Sequence, residues 1–275
     1  MRRCIYLSVL GCLILLLACG TREDPQRHIK NLYSWDERVR LRAGNALVLM
    51  GEKAVPAVIK ELESSQNPQV KYICVQILGR IGDKRATPHL IPFLKSQNRY
   101  IAAKAAEALG IIADQRAAGA LVEAARDTCT DLRANAVFAL AKTKSPQAWE
   151  VISKSLNDPS VKVRVKALQA VGRCRYSQVA PRVIQMVSDP SPLVRLKAVQ
   201  ALRWIGDKPG VVDALIKALE DSRLSVRLQA ITSLQVIGNP KAIVPLEKLA
   251  ARGGERDRRA AKWAIEEIKK QMERK

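Results

Sequence analysis

The sequence predicts an all-α solenoid of eight repeats, each about 31 residues long. Hydrophobic residues make up 48% of the 275-residue chain and aromatic residues only 4%, so most apolar side chains are small and aliphatic. A pair resembling Val-Arg recurs at a nearly constant interval, and small and aliphatic residues follow it at fixed helical offsets. These features predict stacked pairs of helices that bury their surfaces locally, without one thick core.

The second residue of the recurring pair, here called the anchor, sets the period of the repeats. Successive anchors are 31 residues apart, except for one interval of 32. The anchors are Arg40, Lys71, Ala102, Arg133, Arg164, Arg195, Arg227 and Arg258.

The residues after each anchor predict the second helix of a repeat. A small residue follows the anchor by three positions, with Cys74 in place of Ala in one repeat, and Leu, Val or Ile follows by seven. These offsets share one helical face, and small residues let neighbouring helices approach closely. Gly51, Gly82, Gly206 and Gly238 follow by eleven and predict the end of the helix, where a left-handed residue is favoured.

A polar turn then leads into the first helix of the next repeat. Apolar residues three or four apart, such as Ile59 and Leu62, predict one buried stripe. Turns such as Asp158-Pro159-Ser160 end this helix and are predicted to cap the next one.

The terminal repeats deviate from the pattern, as capping repeats do. Residues 25–34 predict a short polar first helix. Residues 257–275 predict a long amphipathic helix with Trp263, Ile265 and Ile268 facing inward.

These columns resemble the short HEAT repeats of phycobilisome-lyase-like proteins, from roughly Asp24 to the C-terminus. The resemblance implies a HEAT/armadillo-like right-handed α-α superhelix whose second helices line the concave face. It also implies that Asp and Arg columns cross-link adjacent repeats. Because an Asp stands six positions before four of the anchors, we predict a structural ladder from Asp127, Arg133, Asp158, Arg164, Asp189, Arg195, Asp221 and Arg227.

The anchor arginines also admit a second interpretation, in which they follow the phosphates of a nucleic acid. The formal net charge of +21 suits an anionic partner, but basic and acidic residues alternate along the repeats without a long basic tail. We therefore expect the structural ladder and no nucleic-acid partner.

A separate face of the second helices is the predicted binding surface. Offsets of two, five and nine from the anchor share one side and avoid the apolar columns. This face is basic and rich in amides, and its aromatic residues are typical anchors of interfaces. In the competing interpretation the aromatics pack against neighbouring repeats and the lysines are merely solvated. The predicted binding residues are Arg80, Lys104, Phe138, Lys142, Lys166, Arg173, Lys197, Gln200 and Trp204.

The first residues predict a signal peptide over residues 1–18. Basic residues precede an apolar run at 5–17, which is too short to cross a bilayer comfortably. The run ends in Leu16-Leu17-Ala18-Cys19-Gly20, which resembles the bacterial lipobox and implies a lipidated Cys19. A short signal anchor or a buried first helix is the alternative. The predicted organisation continues with a tether at 19–24 and the solenoid at 25–275.

Lipidation at Cys19 would make this a membrane protein of the bacterial cell envelope. Gly20, where an Asp would signal inner-membrane retention, favours the periplasmic side of the outer membrane. Removal of Arg2 and Arg3 with the signal peptide would lower the formal charge from +21 to +19.

The sequence contains no pattern of residues typical of catalysis. Its two histidines, His28 and His89, are not part of a His-Glu pair, and Gly-rich phosphate loops are absent. Cys74, Cys129 and Cys174 are not spaced as zinc ligands. We therefore predict no enzyme activity, no catalytic residue, no metal and no cofactor, and we expect a monomer.

The first functional hypothesis is a lipid-anchored scaffold or adaptor that binds a protein partner through its concave face. One alternative is a binder of anionic envelope polymers or lipids. Another is an accessory protein in cofactor or nucleic-acid chemistry, which requires the signal-peptide interpretation to be wrong.

Overall fold

A computed structural model describes residues 24–274, and all regular secondary structure in this range is helical. The predicted signal peptide and Cys19 lie outside these residues. Contacts divide the chain into two compact units, with the boundary between Ala86 and Thr87. Within the range that the structure describes, no helix is both long enough and apolar enough to cross a bilayer.

The N-terminal unit contains two helix pairs. In each pair the second helix is longer and packs against its counterpart in the other pair. The helices are α1 (Pro25–Asn31), α2 (Glu37–Met50), α3 (Val55–Ser64) and α4 (Pro68–Ile81).

The C-terminal unit contains six pairs, and its even-numbered helices pack side by side in chain order. Short 3-10 turns extend α5, α11 and α13. The helices are α5 (Thr87–Leu90), α6 (Arg99–Ile112), α7 (Ala118–Ala124), α8 (Thr130–Lys142), α9 (Ala148–Ser155), α10 (Val161–Cys174), α11 (Ala180–Gln185), α12 (Pro192–Ile205), α13 (Val211–Lys217), α14 (Leu224–Ile237), α15 (Ile243–Arg252) and α16 (Glu255–Glu273).

The eight predicted pairs are thus confirmed, and their core is formed by the predicted columns. Every residue seven positions after an anchor is buried, from Leu47 in α2 to Ile265 in α16. Cys74 is also fully buried within the small-residue column, and this burial raises the pKa of its thiol to about 12. Burying one Leu or Val side chain contributes about 1.5–3 kcal/mol, so the two columns account for much of the cohesion between helices.

The ends of the even-numbered helices follow one rule that the sequence shows only in part. The residue eleven positions after the anchor has a positive φ in all of α2 to α14. Four of these residues are the predicted glycines. The other three, Ala113, Lys144 and Arg175, adopt the left-handed conformation at φ of 57°, 56° and 52°, although it costs a residue with a Cβ about 1–2 kcal/mol.

The sequence predicted that turns such as Asp158-Pro159-Ser160 cap the following helix, but no side chain caps α10 or α12. Ser160 and Ser191 occupy the N-cap positions of α10 and α12, but their side chains make no capping hydrogen bond. Instead, an Oδ1 atom of Asp158 accepts a hydrogen bond from the Ser160 amide at 2.8 Å, and Asp189 does the same for Ser191. The aspartate therefore shapes the turn.

The same aspartates receive arginines from the preceding repeat. Arg164 donates through Nε and Nη2 to both carboxylate oxygens of Asp189, at 2.9 and 3.0 Å. Its Nη1 donates to the main-chain oxygens of Asp158 and Pro159, in its own turn. Each arginine thus joins its own turn to the carboxylate of the following repeat.

Three further pairs have this arrangement. Arg133 contacts Asp158, Arg195 contacts Asp221, and Arg227 contacts Asp257. Asp257 was not among the predicted ladder residues, because it stands one position before its anchor instead of six. The first predicted carboxylate, Asp127, pairs with Arg99, since the anchor of the preceding repeat is Ala102.

The terminal helix α16 corrects one prediction. Ile265 and Ile268 are buried as expected, but the side chain of Trp263 is 59% exposed. Trp263 lies five positions after its anchor, in the column predicted to form the binding face. Its exposure therefore agrees with the predicted position of this column on the exposed binding face. The prediction that Trp263 faces inward, which was made from its apolar character, was wrong.

Candidate binding groove

Helices α8, α10 and α12 position the candidate site. Their faces leave a groove of about 530 Å³, here called the central groove. Its walls combine two aromatic rings with basic and amide side chains. They include Phe138, Gln169, Arg173, Lys197, Gln200 and Trp204.

Phe138 separates the central groove from a second one. This side groove, of about 330 Å³, lies between α6, α8 and α10 and is lined by Glu107, Asn135, Lys142 and Lys166. Asn135 donates a hydrogen bond to the main-chain oxygen of Ala103. Phe138 is half-buried and lines both grooves.

Three cationic groups surround the Phe138 ring. The Nζ atoms of Lys142 and Lys166 lie 5.1 and 4.9 Å from the ring centroid, and the Arg173 guanidinium carbon lies 5.8 Å away. A cation over the face of an aromatic ring is attracted by the ring quadrupole. Phe138 therefore helps to hold three like charges near each other.

These charges lack acidic partners. In the part of the chain that the structure describes, Lys142, Lys166 and Arg173 make no ion pair. Burial, followed by the charges of Arg173 and Lys166, lowers the pKa of Lys142. An anion bound here would relieve this repulsion and favour the charged form of Lys142.

Trp204 forms the other aromatic element of the central groove. Its side chain is 46% exposed, and the guanidinium carbons of Arg203 and Arg175 lie 4.8 and 5.6 Å from its ring centroid. On its inner side the ring lies against Gly172, where a Cβ would stand 3.3 Å from Trp204 Cδ1. Because Gly172 has no side chain, the indole packs closely against this part of α10, and a larger residue would displace it.

A chain of hydrogen bonds orders the polar wall. Lys197 Nζ donates to Gln200 Oε1 at 2.9 Å, and Gln200 Nε2 donates to Gln229 Oε1 at 3.2 Å. The amide group of Gln200 accepts from Lys197 and donates to Gln229, so its orientation is fixed. The same hydrogen bond fixes the position of the Lys197 ammonium group.

Seven of the nine predicted binding residues lie around the two grooves. Phe138, Arg173, Lys197, Gln200 and Trp204 line the central groove, and Lys142 and Lys166 line the side groove. Arg80 belongs to the N-terminal unit, where it donates to Asn45 Oδ1 and lines a separate groove of about 200 Å³. Lys104 is on α6, in an ion pair with Glu107 at 2.8 Å. Neither residue contributes to the central groove.

Sequence reasoning missed Arg175 and Arg203. Arg175 occupies the position where four repeats have Gly, and its left-handed backbone accompanies the placement of its guanidinium over Trp204. Strained backbone of this kind is concentrated at functional sites. The signal available in the sequence was that Arg175 replaces the Gly of four other repeats and that aromatic residues occur on the adjacent binding face.

Among the same described residues, no group of three or more His, Cys, Asp or Glu side chains is arranged so that it could hold a metal ion. The three cysteines in this range are free thiols.

Comparisons with known proteins agree with this architecture. A family model described as HEAT repeats matches residues 27–94, 55–141, 120–187, 150–216 and 181–266. The chain belongs to the HEAT-repeat family. No curated protein sequence matches it.

Several solved structures resemble the chain at low sequence identity. YibA of Escherichia coli matches with a TM-score of 0.66 and 20% identity, covering 90% of this chain and 93% of YibA. An engineered protein matches with a TM-score of 0.53 and 21% identity, covering 88% and 77%. The complex of CpcE and CpcF of phycocyanin lyase from Nostoc sp. matches with a TM-score of 0.42 and 21% identity, covering 91% and 96%. Similarity at this level of identity concerns the fold alone.

Proposed function

We propose that this HEAT-repeat protein is a lipid-anchored adaptor of the bacterial cell envelope that binds an acidic segment of a protein partner in its central and side grooves. The observation that carries the proposal is the set of five cations around two aromatic rings. Lys142, Lys166 and Arg173 surround Phe138, and Arg175 and Arg203 lie over Trp204. Among the described residues none of the five has an ion-pair partner.

The shape of the site favours an extended ligand. The central and side grooves both border Phe138, and their lining residues together extend across α6, α8, α10 and α12. Gln169 and Gln200 line the central groove, and amide side chains can donate to and accept from a peptide backbone. The proposed role is binding alone, with no reaction assigned to the groove.

The aromatic rings favour a protein segment over a uniform polyanion. Trp and Phe side chains bind apolar groups in desolvated pockets and commonly dominate the affinity of an interface. We therefore expect a partner segment with aliphatic residues among its carboxylates. An anionic envelope polymer remains the second candidate, because the cations alone would also attract it.

Titration of Trp fluorescence with synthetic peptides tests the groove. A peptide of Glu and Leu residues should bind the full chain, whereas its Lys and Leu counterpart should not. Lys142→Gln combined with Arg173→Gln should weaken binding at least about tenfold, which corresponds to about 1.4 kcal/mol. Lys248→Gln combined with Lys262→Gln removes the same charge from exposed positions of α15 and α16 and should leave the affinity unchanged. Equal weakening by both pairs would contradict a specific site.

Replacing the aromatics separates the two candidate ligands. Phe138→Ala with Trp204→Ala should reduce binding of the Glu and Leu peptide while helicity and melting temperature stay unchanged. Polyglutamate serves as the uniform polyanion, and its affinity should fall steeply as salt shortens the Debye length to about 8 Å at 0.15 M. A large loss of stability in the double variant would mean that the rings belong to the core.

Metabolic labelling tests the anchor independently of the groove. Cells expressing the wild type should incorporate a clickable fatty acid into the protein, and cells expressing Cys19→Ala should not. Labelling that is the same in both would refute the lipid anchor and leave the groove proposal intact.

A further inference from the structure

Trp35 stands out among the exposed residues of the N-terminal unit. It lies in the turn between α1 and α2 with its side chain 101% exposed, although its main-chain oxygen accepts a hydrogen bond from Arg40. The other repeats have small, polar or turn-forming residues at this position. They are Gln66, Gln97, Thr128, Pro159, Pro190, Ser222 and Gly253. The repeat fold therefore does not require a large aromatic side chain here.

The adjoining face of α2 is exposed and amphipathic. Arg38, Arg42 and Leu49 are four and seven positions apart, so they lie on one side of the helix, and all three are exposed. Leu49 is 88% exposed. This face and the turn before it are here called the N-terminal patch, comprising Trp35, Arg38, Arg42 and Leu49.

The composition of the N-terminal patch is typical of a surface that contacts a lipid headgroup layer. Trp prefers the boundary between water and hydrocarbon, and the positive charge of arginine is attracted to anionic lipid headgroups. In the range that the structure describes, Arg38 and Arg42 form no ion pair, so both charges are available to an external anion.

The position of the patch in the chain favours the same partner. Helix α1 begins at Pro25, six residues after Cys19, and α2 packs against α1. Six residues span at most about 22 Å, because an extended chain advances no more than 3.6 Å per residue. A lipid chain on Cys19 would therefore hold the start of α1 within about 22 Å of the anchored cysteine, close enough for the N-terminal unit to contact the bilayer surface.

We infer that the N-terminal patch contacts the membrane surface, with Trp35 at the headgroup level and Arg38 and Arg42 against anionic lipid phosphates. This inference rests on the lipid anchor of the proposed function and is independent of the central groove. The contact would supply a second membrane signal beside the acyl chains and would fix which side of the N-terminal unit faces the bilayer.

Fluorescence quenching in vesicles tests the contact. The full chain is produced in a bacterial host and reconstituted into vesicles of phosphatidylcholine with phosphatidylglycerol, some of which carries brominated acyl chains. The difference between wild type and Trp35→Phe isolates the emission of Trp35, which should be blue-shifted and quenched. The matched control is Trp263→Phe, which isolates another exposed tryptophan that should be neither shifted nor quenched. Arg38→Gln with Arg42→Gln should reduce the quenching of Trp35 at least twofold.

Flotation of the same vesicles separates the two claims. Protein that floats while Trp35 is unquenched would overturn the membrane contact and leave the anchor standing. Protein that does not float would overturn the anchor and the contact together. A blue shift of Trp35 that appears without lipid and grows with protein concentration would also overturn the inference, because a second copy of the chain would then cover the patch.

Discussion

In the C-terminal unit, four anchor arginines each bind a carboxylate of the next repeat, whereas in the N-terminal unit Arg40 binds only main-chain oxygens of its own turn among the described residues. The corresponding position of the following repeat is Ser65. Here the neighbouring repeats are joined instead by Tyr33, whose hydroxyl lies 2.5 Å from Glu61 Oε1 and 2.7 Å from Ser65 Oγ.

This difference shows that the anchor has two separable roles. Satisfying the main-chain oxygens of the turn is common to both units, and it explains why an arginine is useful even without an acid. The link to the next repeat is an addition, and it depends on a carboxylate 25 or so residues further along. The following predictions test that separation, beginning with the largest effect.

Arg164→Ala should destabilise the protein far more than Arg40→Ala. The first change leaves Asp189, whose side chain is only 6% exposed, without its partner, and breaking such a buried pair costs about 3–5 kcal/mol. The second change removes hydrogen bonds to carbonyl oxygens only and should cost about 1.5–3 kcal/mol. Urea denaturation followed by circular dichroism measures both. Equal losses would show that the carboxylate adds nothing.

Acidification should weaken the C-terminal ladder. The side-chain hydrogen bond from Arg195 lowers the pKa of Asp221, so this pair stabilises the folded state above the unfolded pKa of about 4. The contribution is lost as the pH falls from there through the folded pKa. Amide protection in α12 and α14, measured by hydrogen exchange, should therefore decrease as the pH is lowered below about 4. Asp221→Asn should show a smaller decrease, and an identical profile would contradict this assignment.

Ser65→Asp should transplant a ladder contact into the N-terminal unit. The substitution places a carboxylate 25 positions after Arg40, the spacing found between Arg164 and Asp189. In a Tyr33→Phe background, which removes the competing hydroxyl, we expect a gain of about 1 kcal/mol over that background. Ser65→Asn is the uncharged control. A gain that is the same for Asp and Asn would mean that the ion pair is not responsible.

The helix ends should show the smallest effects. Gly82→Ala in the N-terminal unit should cost about 1 kcal/mol, because its φ of 78° is unfavourable for a residue with a Cβ. Ala113→Gly in the C-terminal unit, at a φ of 57°, should stabilise by about 0.5 kcal/mol after the extra unfolded-chain entropy of Gly is counted. Thermal melts of the two variants measure the signs, which should be opposite.

The sequence predicted those features of the fold that follow directly from the 31-residue repeat period. The buried columns, the eight helix pairs and the helix ends at Gly followed from spacing, since each apolar side chain must face the neighbouring repeat. The three non-glycine helix ends at Ala113, Lys144 and Arg175 could not be predicted in this way, because the left-handed conformation costs a residue with a Cβ about 1–2 kcal/mol and the sequence therefore favours Gly there.

The candidate site was predicted in part for a similar reason. Helical offsets placed Phe138, Lys142, Lys166 and Arg173 on one face, and the structure brings them within cation–π distance. The role of Arg175 depends on its left-handed backbone and on the indole of Trp204 lying against Gly172. Contacts of this kind depend on the distance between helices, which a pattern along one helix does not specify.

The one-directional ladder has a consequence for how such a protein can grow. The stretch from residue 159 to Asp189 contains one anchor, Arg164, and one carboxylate, that of Asp189. In a duplicated stretch, each copy of this carboxylate would accept hydrogen bonds from the anchor arginine 25 residues before it. A tandem duplication of that stretch would give every new arginine an acid one repeat ahead, and no buried charge would be stranded. Lengthening the gene by a copy of this 31-residue unit would therefore preserve every ladder contact, although each copy would add a net formal charge of +5, from six Lys and Arg residues and one Asp.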